Sequence, residues 1–406
     1  MAAHDRFRRT RLACYAAYVV QAVVNNFAPL LFVTFSVAYG IPLSRMALLV
    51  TFNFGTQLCV DALSAVFVDR IGYRRTVILA HLCAALGMGG LAFFPTVFPD
   101  PFIGLLLASF LYAIGGGAIE VVVSPLIEAC PSEGKSAAMS LLHSFYSWGQ
   151  LFVIGVSTLF FAAAGIDMWP VLSYLWAALA ALNGFFFFFV PVVEPKSDGQ
   201  KTMSFRELFS RRLFWLFLLL MVCAGAAELA VCQWASAFLE RNVGVPKKVG
   251  DLLGPCLFAL FMGLSRVLYS LLSKKISLRV SIAGSGVLCV LSYLLISLGH
   301  SPAMIFIGCA LCGFSVGILW PGTYSLAAAR IPRGGTAMFA LLALAGDLGC
   351  TLGPSAVGAI AAVAGEDLSV GILAVTVFPI LLVIGAMLLG RAPAGDTPRP
   401  DGAADE

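Results

Sequence analysis

Twelve stretches of this chain are each long and apolar enough to cross a lipid bilayer as a helix. Their limits are 12–37, 46–68, 76–94, 102–129, 137–163, 169–193, 213–239, 249–273, 279–298, 303–329, 336–363 and 369–390. A membrane-spanning helix needs about 20 mostly apolar residues. A strand of a membrane barrel is about 10 residues long and alternates apolar with polar; these runs are continuous and about twice that length. With 60% of residues hydrophobic and 11% charged, the composition is far from the roughly 25% charged of a soluble domain. The expected fold is an all-α membrane protein of twelve transmembrane helices. The first run is too long for a signal-peptide core and is followed by many more, so no secretory signal is read.

Basic residues give the orientation, because Lys and Arg concentrate on the cytoplasmic side. Placing the N-terminus inside puts 20 of the 25 Lys and Arg residues there, from Arg6 to Arg399. The loop carrying Arg241, Lys247 and Lys248 is a local exception that the sum outweighs. Both termini are therefore expected in the cytoplasm, and the chain in the plasma (inner) membrane. The net charge of +4 lies in loops beside spans and implies no nucleic acid. Eleven cysteines are scattered through apolar runs, and His4, His81, His143 and His300 are far apart. The one CxxC, Cys309 to Cys312, reads as packing, so no metal and no cofactor are expected.

A polar connection at 194–212 divides the chain midway. The expected organisation is a six-helix bundle over 1–193, this linker, a second bundle over 213–390 and a polar cytoplasmic tail at 391–406. The halves echo each other at an offset of about 200 residues: 134–152 aligns on 334–352, and 117–131 on 317–331 with Glu120 over Trp320. Duplicated halves are a common way for transporters to build one central site with two gates.

Glu120 stands inside an apolar run, where an ionised group costs about 2.5–3.5 kcal/mol on insertion scales. Such a residue faces the protein interior, is paired, or carries a proton. Tyr112, Gly116, Glu120 and Ser124 share one helix face, and Pro125 frees a backbone carbonyl on a bent, cavity-lining helix. Glu128, at the cytoplasmic end, reads as a solvated end residue. Other polar residues at bilayer depth are Asn25 and Asn26; Asn53, Gln57 and Asp61 at successive turns; His143, Tyr146 and Gln150; Glu228, Gln233 and Trp234; Arg266; and Asp347. Amides beside aromatic rings suit a polyhydroxylated ligand. Arg266 with Asp61 or Asp347 reads as an ion pair towards the cytoplasmic side. "EGKSA" at 133–137 is no phosphate loop, since Ala129 replaces the first glycine. No nucleophile, histidine and acid stand in a catalytic order, so no enzyme is expected.

"DRIGYRR", residues 69–75, follows the second run. It resembles the signature between the second and third helices of the major facilitator superfamily, with Asp69, Arg70, Gly72, Arg74 and Arg75 fitting and Ala65 and Tyr73 departing. The resemblance implies two pseudo-symmetric six-helix bundles. It also implies an inner gate, in which Asp69 meets the start of the eleventh helix near Gly334–Gly335–Thr336, where a helix N-terminus favours an anion. Glu120 with Ser124 and Pro125, and "LLHSFYSWG" at 141–149, are similar to the fucose–proton symporters within that superfamily. The acid that family carries after its paired asparagines is absent here. The expected function is secondary active transport of a small polar solute, a sugar by this resemblance, through proton-coupled alternating access. Glu120, His143, Glu228 and Asp347 are the candidate proton-coupling residues. Asn25, Asn26, Asn53, Gln57, Tyr146, Gln150, Gln233, Trp234 and Trp320 are the candidate substrate contacts. Sodium coupling and export of a drug or metabolite stay open, and a non-transporting scaffold lacks the soluble module it should carry. The partners expected are solute, protons or sodium, and lipid, for a monomer.

Overall fold

The computed structural model describes residues 7–41, 43–131, 134–192, 202–365 and 367–389, and the regular structure among them is helical throughout. The 391–406 tail and the first part of the 194–212 connection lie outside the described residues. In order, the helices are α1 (Arg8–Leu30), α2 (Phe32–Tyr39), α3 (Leu43–Ile71), α4 (Tyr73–Val97), α5 (Pro101–Ala129), α6 (Lys135–Ala164), α7 (Trp169–Phe186), α8 (Phe205–Ser210), α9 (Arg212–Val243), α10 (Lys247–Leu272), α11 (Leu278–Ser297), α12 (Pro302–Val316), α13 (Leu319–Arg330), α14 (Gly335–Val363), α15 (Leu368–Ala374) and α16 (Val377–Leu389). Ten stretches among the described residues, the first Tyr73–Val97 and the last Leu368–Leu389, are long and apolar enough to cross a membrane. The protein is thus an all-helical, multi-pass membrane protein. Its outer surface agrees: Leu182, Phe185, Phe189 and Leu271 are all more than half exposed, a girdle that only lipid would cover.

Local sequence sets the helix starts. Asp100 accepts a hydrogen bond from the Phe102 N–H at 2.9 Å, and Pro101 opens α5 with the backbone angle already set. Ser301 does the same ahead of Pro302 in α12. Gly72, at φ 90, makes the reversal between α3 and α4 that a side chain would resist.

Glycines set how closely helices approach. Gly115, Gly116 and Gly117 in α5 each face a different helix. A Cβ there would meet Ala80 O of α4 at 2.6 Å, Val24 of α1 at 2.9 Å and Gln57 of α3 at 3.3 Å. In α14, a Cβ at Gly349 would meet Val222 O at 2.0 Å and one at Gly353 would meet Ala226 O at 2.5 Å. In α9, a Cβ at Gly225 would meet Gly346 O at 2.1 Å. Backbone therefore lies on backbone along α9 and α14. Helices α1–α7 pack chiefly on one another, as do α9–α16. The two groups meet where α6 packs on α10 and α13, and where α14 packs on α3 and α5.

The stretch Pro302–Arg330 is broken at Gly317–Ile318. Pro321 accounts for the break, because it has no N–H to give the carbonyl four residues earlier. That carbonyl, Gly317 O, accepts instead from Arg266 Nε of α10 at 2.9 Å. An irregular backbone at membrane depth persists only where protein satisfies it in this way.

Candidate substrate cavity and inner gate

A cavity of about 160 Å³ opens among the central helices. From the first half it is lined by Tyr18, Gln21, Asn25 and Asn26 of α1, Phe54 and Gln57 of α3, Glu120 of α5, and His143, Tyr146 and Gln150 of α6. From the second half come Glu228, Leu229 and Cys232 of α9, Phe258, Met262 and Arg266 of α10, Trp320 of α13, and Asp347 and Cys350 of α14. Glu120 and Trp320, which the internal alignment superposes, both line it.

On the α1 side the polar groups are tied together. The Gln21 amide donates to Glu120 Oε2. Tyr18 Oη lies 2.9 Å from Ser124 Oγ and 3.3 Å from His143 Nε2. Asn25 Oδ1 accepts from Gln57 at 2.8 Å and from Asn53 at 3.2 Å. Tyr18, Gln21 and Asn25 stand at i, i+3 and i+7, one face of α1. The expected residues Asn25 and Asn26 belong to that wall. Tyr18 and Gln21, which belong to it equally, were readable only from this spacing.

The other wall is organised by Arg266, which is 2% exposed. Its Nη1 donates to His143 O at 2.9 Å and to Ser147 Oγ at 2.8 Å, both across in α6, and its Nη2 lies 3.6 Å from Glu228 Oε2. This corrects the expected pairing with Asp61 or Asp347. Arg266 reaches into the cavity wall because Gly317 O, freed by Pro321, draws its Nε there. Glu128 likewise is paired, 3.6 Å from Lys135, rather than simply solvated.

Three expected substrate contacts do not line the cavity. Asn53 sits behind Asn25, to which it donates. Gln233 is exposed, and Trp234 donates to Pro354 O at 2.9 Å. The reason is helical phase: Gln233, five residues after Glu228, is turned about 140° from it, and Cys232 takes the wall position.

At the end of α3, Asp69 Oδ1 accepts from Thr336 Oγ1 at 2.5 Å, in the first turn of α14. Tyr73, a departure from the expected motif, is buried and bonds the same Thr336 hydroxyl. Arg74 plays a different part from its neighbours: it donates to Phe187 O, Phe188 O and Val190 O and so closes the C-terminus of α7. Arg70 and Arg75 are exposed. The described part of the connection docks beside α14, with Met203 N–H donating to Arg333 O at 2.8 Å. Its helix α8 starts in a capping box, where Glu207 accepts from the Ser204 backbone N–H and hydroxyl. These bonds hold the Glu207 carboxyl below the ordinary range.

Several known proteins are similar to this chain. MosC, a membrane protein of Rhizobium meliloti, is 25% identical over 262 residues, 63% of this chain and 61% of that protein, so the chain spans about three fifths of MosC. PmrA, a multi-drug resistance efflux pump of Streptococcus pneumoniae, is 26% identical over 331 residues, 77% of this chain and 80% of the pump. Among solved structures, the transporter FucP in its outward conformation superposes with a TM-score of 0.81 at 14% identity, covering 94% of this chain and 99% of FucP. The proton:xylose symporter XylE superposes with a TM-score of 0.79 at 12% identity, covering 96% of each chain. At these identities the likeness to the solved structures is one of fold. The sequence profile described as Major Facilitator Superfamily matches residues 14–354 of this chain, and the chain belongs to that superfamily.

Proposed function

We propose that this protein is a proton-coupled secondary transporter of a small polar solute, a sugar in the first instance. The observation that carries the reading is the cavity itself. Three carboxyls, one arginine and one histidine converge there with five amides, two phenols and an indole. Rings stack on sugar faces, and amides bond hydroxyls. At about 160 Å³ the cavity is smaller than the roughly 300–1,000 Å³ of drug-sized sites, which favours a small solute. Glu120 is the proposed proton carrier, because it is a carboxyl at bilayer depth that faces the cavity and Gln21 orients it. His143 is a substrate donor held by Tyr18. In this reading α1–α2 and α3 complete a set of twelve spans in two six-helix bundles, 1–193 and 213–390. The packing supports it: the contacts between the groups, α6 with α10 and α14 with α3, repeat each other under exchange of the halves. The protein would act as a monomer in the plasma membrane with both termini inside.

A second reading is export of an organic cation in exchange for protons. It is favoured by three carboxyls facing one arginine and by the likeness to PmrA. Sodium in place of protons is the remaining variant. Thermal-shift binding of neutral sugars and of organic cations to the purified protein, at two pH values with and without sodium, decides among them. Stabilisation by a sugar and not by cations supports the first reading; the reverse refutes it.

Two outcomes follow. A single cysteine replacing Lys248 in a cysteine-free background is expected to react with an impermeant thiol reagent from outside the cell. Labelling only after permeabilisation would invert the topology. Asp69→Asn is expected to slow transport several-fold while changing substrate affinity little, since the anion that accepts from Thr336 at the α14 N-terminus is gone. Wild-type transport rates in this variant would remove the contact from the gate.

A further inference from the structure

Asp61 is fully buried in α3, one turn beyond Gln57 and two turns before Asp69. It does not line the cavity. Its carboxyl oxygens accept from no amide, hydroxyl or basic donor; the group they bond is the Asp347 carboxyl of α14. The titratable groups acting on it are Asp347 of α14, Glu120 of α5 and Tyr324 of α13. Among the described residues no basic group is set against it; Arg266, the nearest in expectation, is committed to Glu228, Gly317, His143 and Ser147. Two buried carboxylates without a counter-ion are not tolerated side by side, so the pair shares a proton. Two carboxyls bond each other only when one of them carries a proton, so the Asp61–Asp347 contact itself holds one.

Its position gives the proton something to do. Asp347 lines the cavity on α14, and Asp61 faces it across the seam between α3 and α14. The same two helices are joined further along by Asp69 and Thr336. Cavity, Asp347, Asp61 and gate therefore follow one another down a single seam. We infer that Asp61 is a proton-binding residue, paired with Asp347, that holds its proton while the α3–α14 seam is closed and releases it when the seam parts. As the seam closes, the Asp61 carboxylate takes the O–H proton of Asp347, and the Asp347 carboxylate left behind takes a new proton from the cavity. On opening, the Asp61 O–H breaks and its proton goes to water at the gate side, leaving a hydrated carboxylate. Charge on Asp61 favours the open seam, so the closed fraction falls as pH rises. The inference rests on the transporter reading for its purpose, though not for its measurement.

The test uses the full-length protein in lipid. Infrared difference spectra on pH titration are expected to show a protonated-carboxyl band that vanishes in Asp61→Asn and is shifted in Asp347→Asn. In parallel, a spin-label pair at Ile71 and Pro332 is expected to separate as pH rises in the wild type, and to lose that pH dependence in Asp61→Asn. Proteoliposomes of Asp61→Asn are expected to accumulate substrate at least tenfold less while still exchanging it. An unchanged band and unchanged pH-dependent separation in Asp61→Asn overturn the inference, and so does separation driven by sodium at constant pH. Should Asp61→Asn fail to fold, an Asp347→Asn spectrum identical to wild type overturns it instead. A wild type that shows the Asp61 band and pH-dependent opening but transports no solute leaves the pair standing and refutes the transporter reading.

Discussion

Glu120→Gln is expected to abolish uphill accumulation of substrate under an imposed pH gradient while leaving exchange of labelled for unlabelled substrate intact. Each proton moved down one pH unit is worth about 1.4 kcal/mol, or a tenfold solute gradient, and the variant should lose that whole factor. Glutamine keeps the side-chain size, and its carbonyl can still accept from Gln21 as Oε2 of Glu120 does. It cannot release a proton in the working range. Exchange needs no net proton movement, so it survives. His143→Ala should chiefly weaken substrate binding, since Tyr18 keeps its bond to Ser124. Uphill uptake by Glu120→Gln liposomes at wild-type stoichiometry would take Glu120 out of the mechanism and turn attention to Glu228 and Asp347.

Arg266→Leu should be the most destabilising single change in the cavity wall. Removing one partner of a buried ion pair leaves an uncompensated charge and costs about 3–5 kcal/mol. Here the partner left behind is Glu228, whose side chain is 14% exposed. The loss goes further, because Gly317 O, His143 O and Ser147 Oγ each lose a donor. The double change Arg266→Leu with Glu228→Leu should recover much of the ion-pair part, but not the part that came from the Gly317 carbonyl. Thermal unfolding in detergent, run as a double-mutant cycle, measures both. A single variant within about 0.5 kcal/mol of wild type, the range of an ordinary surface change, would mean that Arg266 does not hold the wall.

Much of this was legible in the sequence, and the limits are physical. Continuous apolar runs announce helices because lipid leaves no other way to satisfy the backbone. Charged and amide residues inside those runs announce the cavity, and Asn25, Gln57, Glu120, His143, Glu228 and Asp347 are there. Partnership between helices was not legible. Nothing in the spacing of Arg266 tells that it seeks the carbonyl Pro321 leaves free, so its pairing was misassigned. Gln233 and Trp234 follow Glu228 in sequence but not in helical phase. Tyr73 read as a flaw in the gate motif, whereas its hydroxyl meets Thr336.

The glycine contacts have a mechanical consequence. With Gly225, Gly349 and Gly353 laying backbone on backbone, α9 and α14 cannot slide or part without a large loss of contact, so Glu228 and Asp347 keep a fixed separation. The three glycines of α5 tie Glu120 to α1, α3 and α4 in the same way. Any movement that spares these contacts leaves the distances within each set unchanged. Pairs that straddle the two sets, Glu120 with Asp347, Glu120 with Glu228 and Asp61 with Asp347 among them, are those whose spacing a movement of one set against the other would change. In the proposed transport cycle such pairs would convert displacement into a change of proton affinity, with the glycines as the gearing.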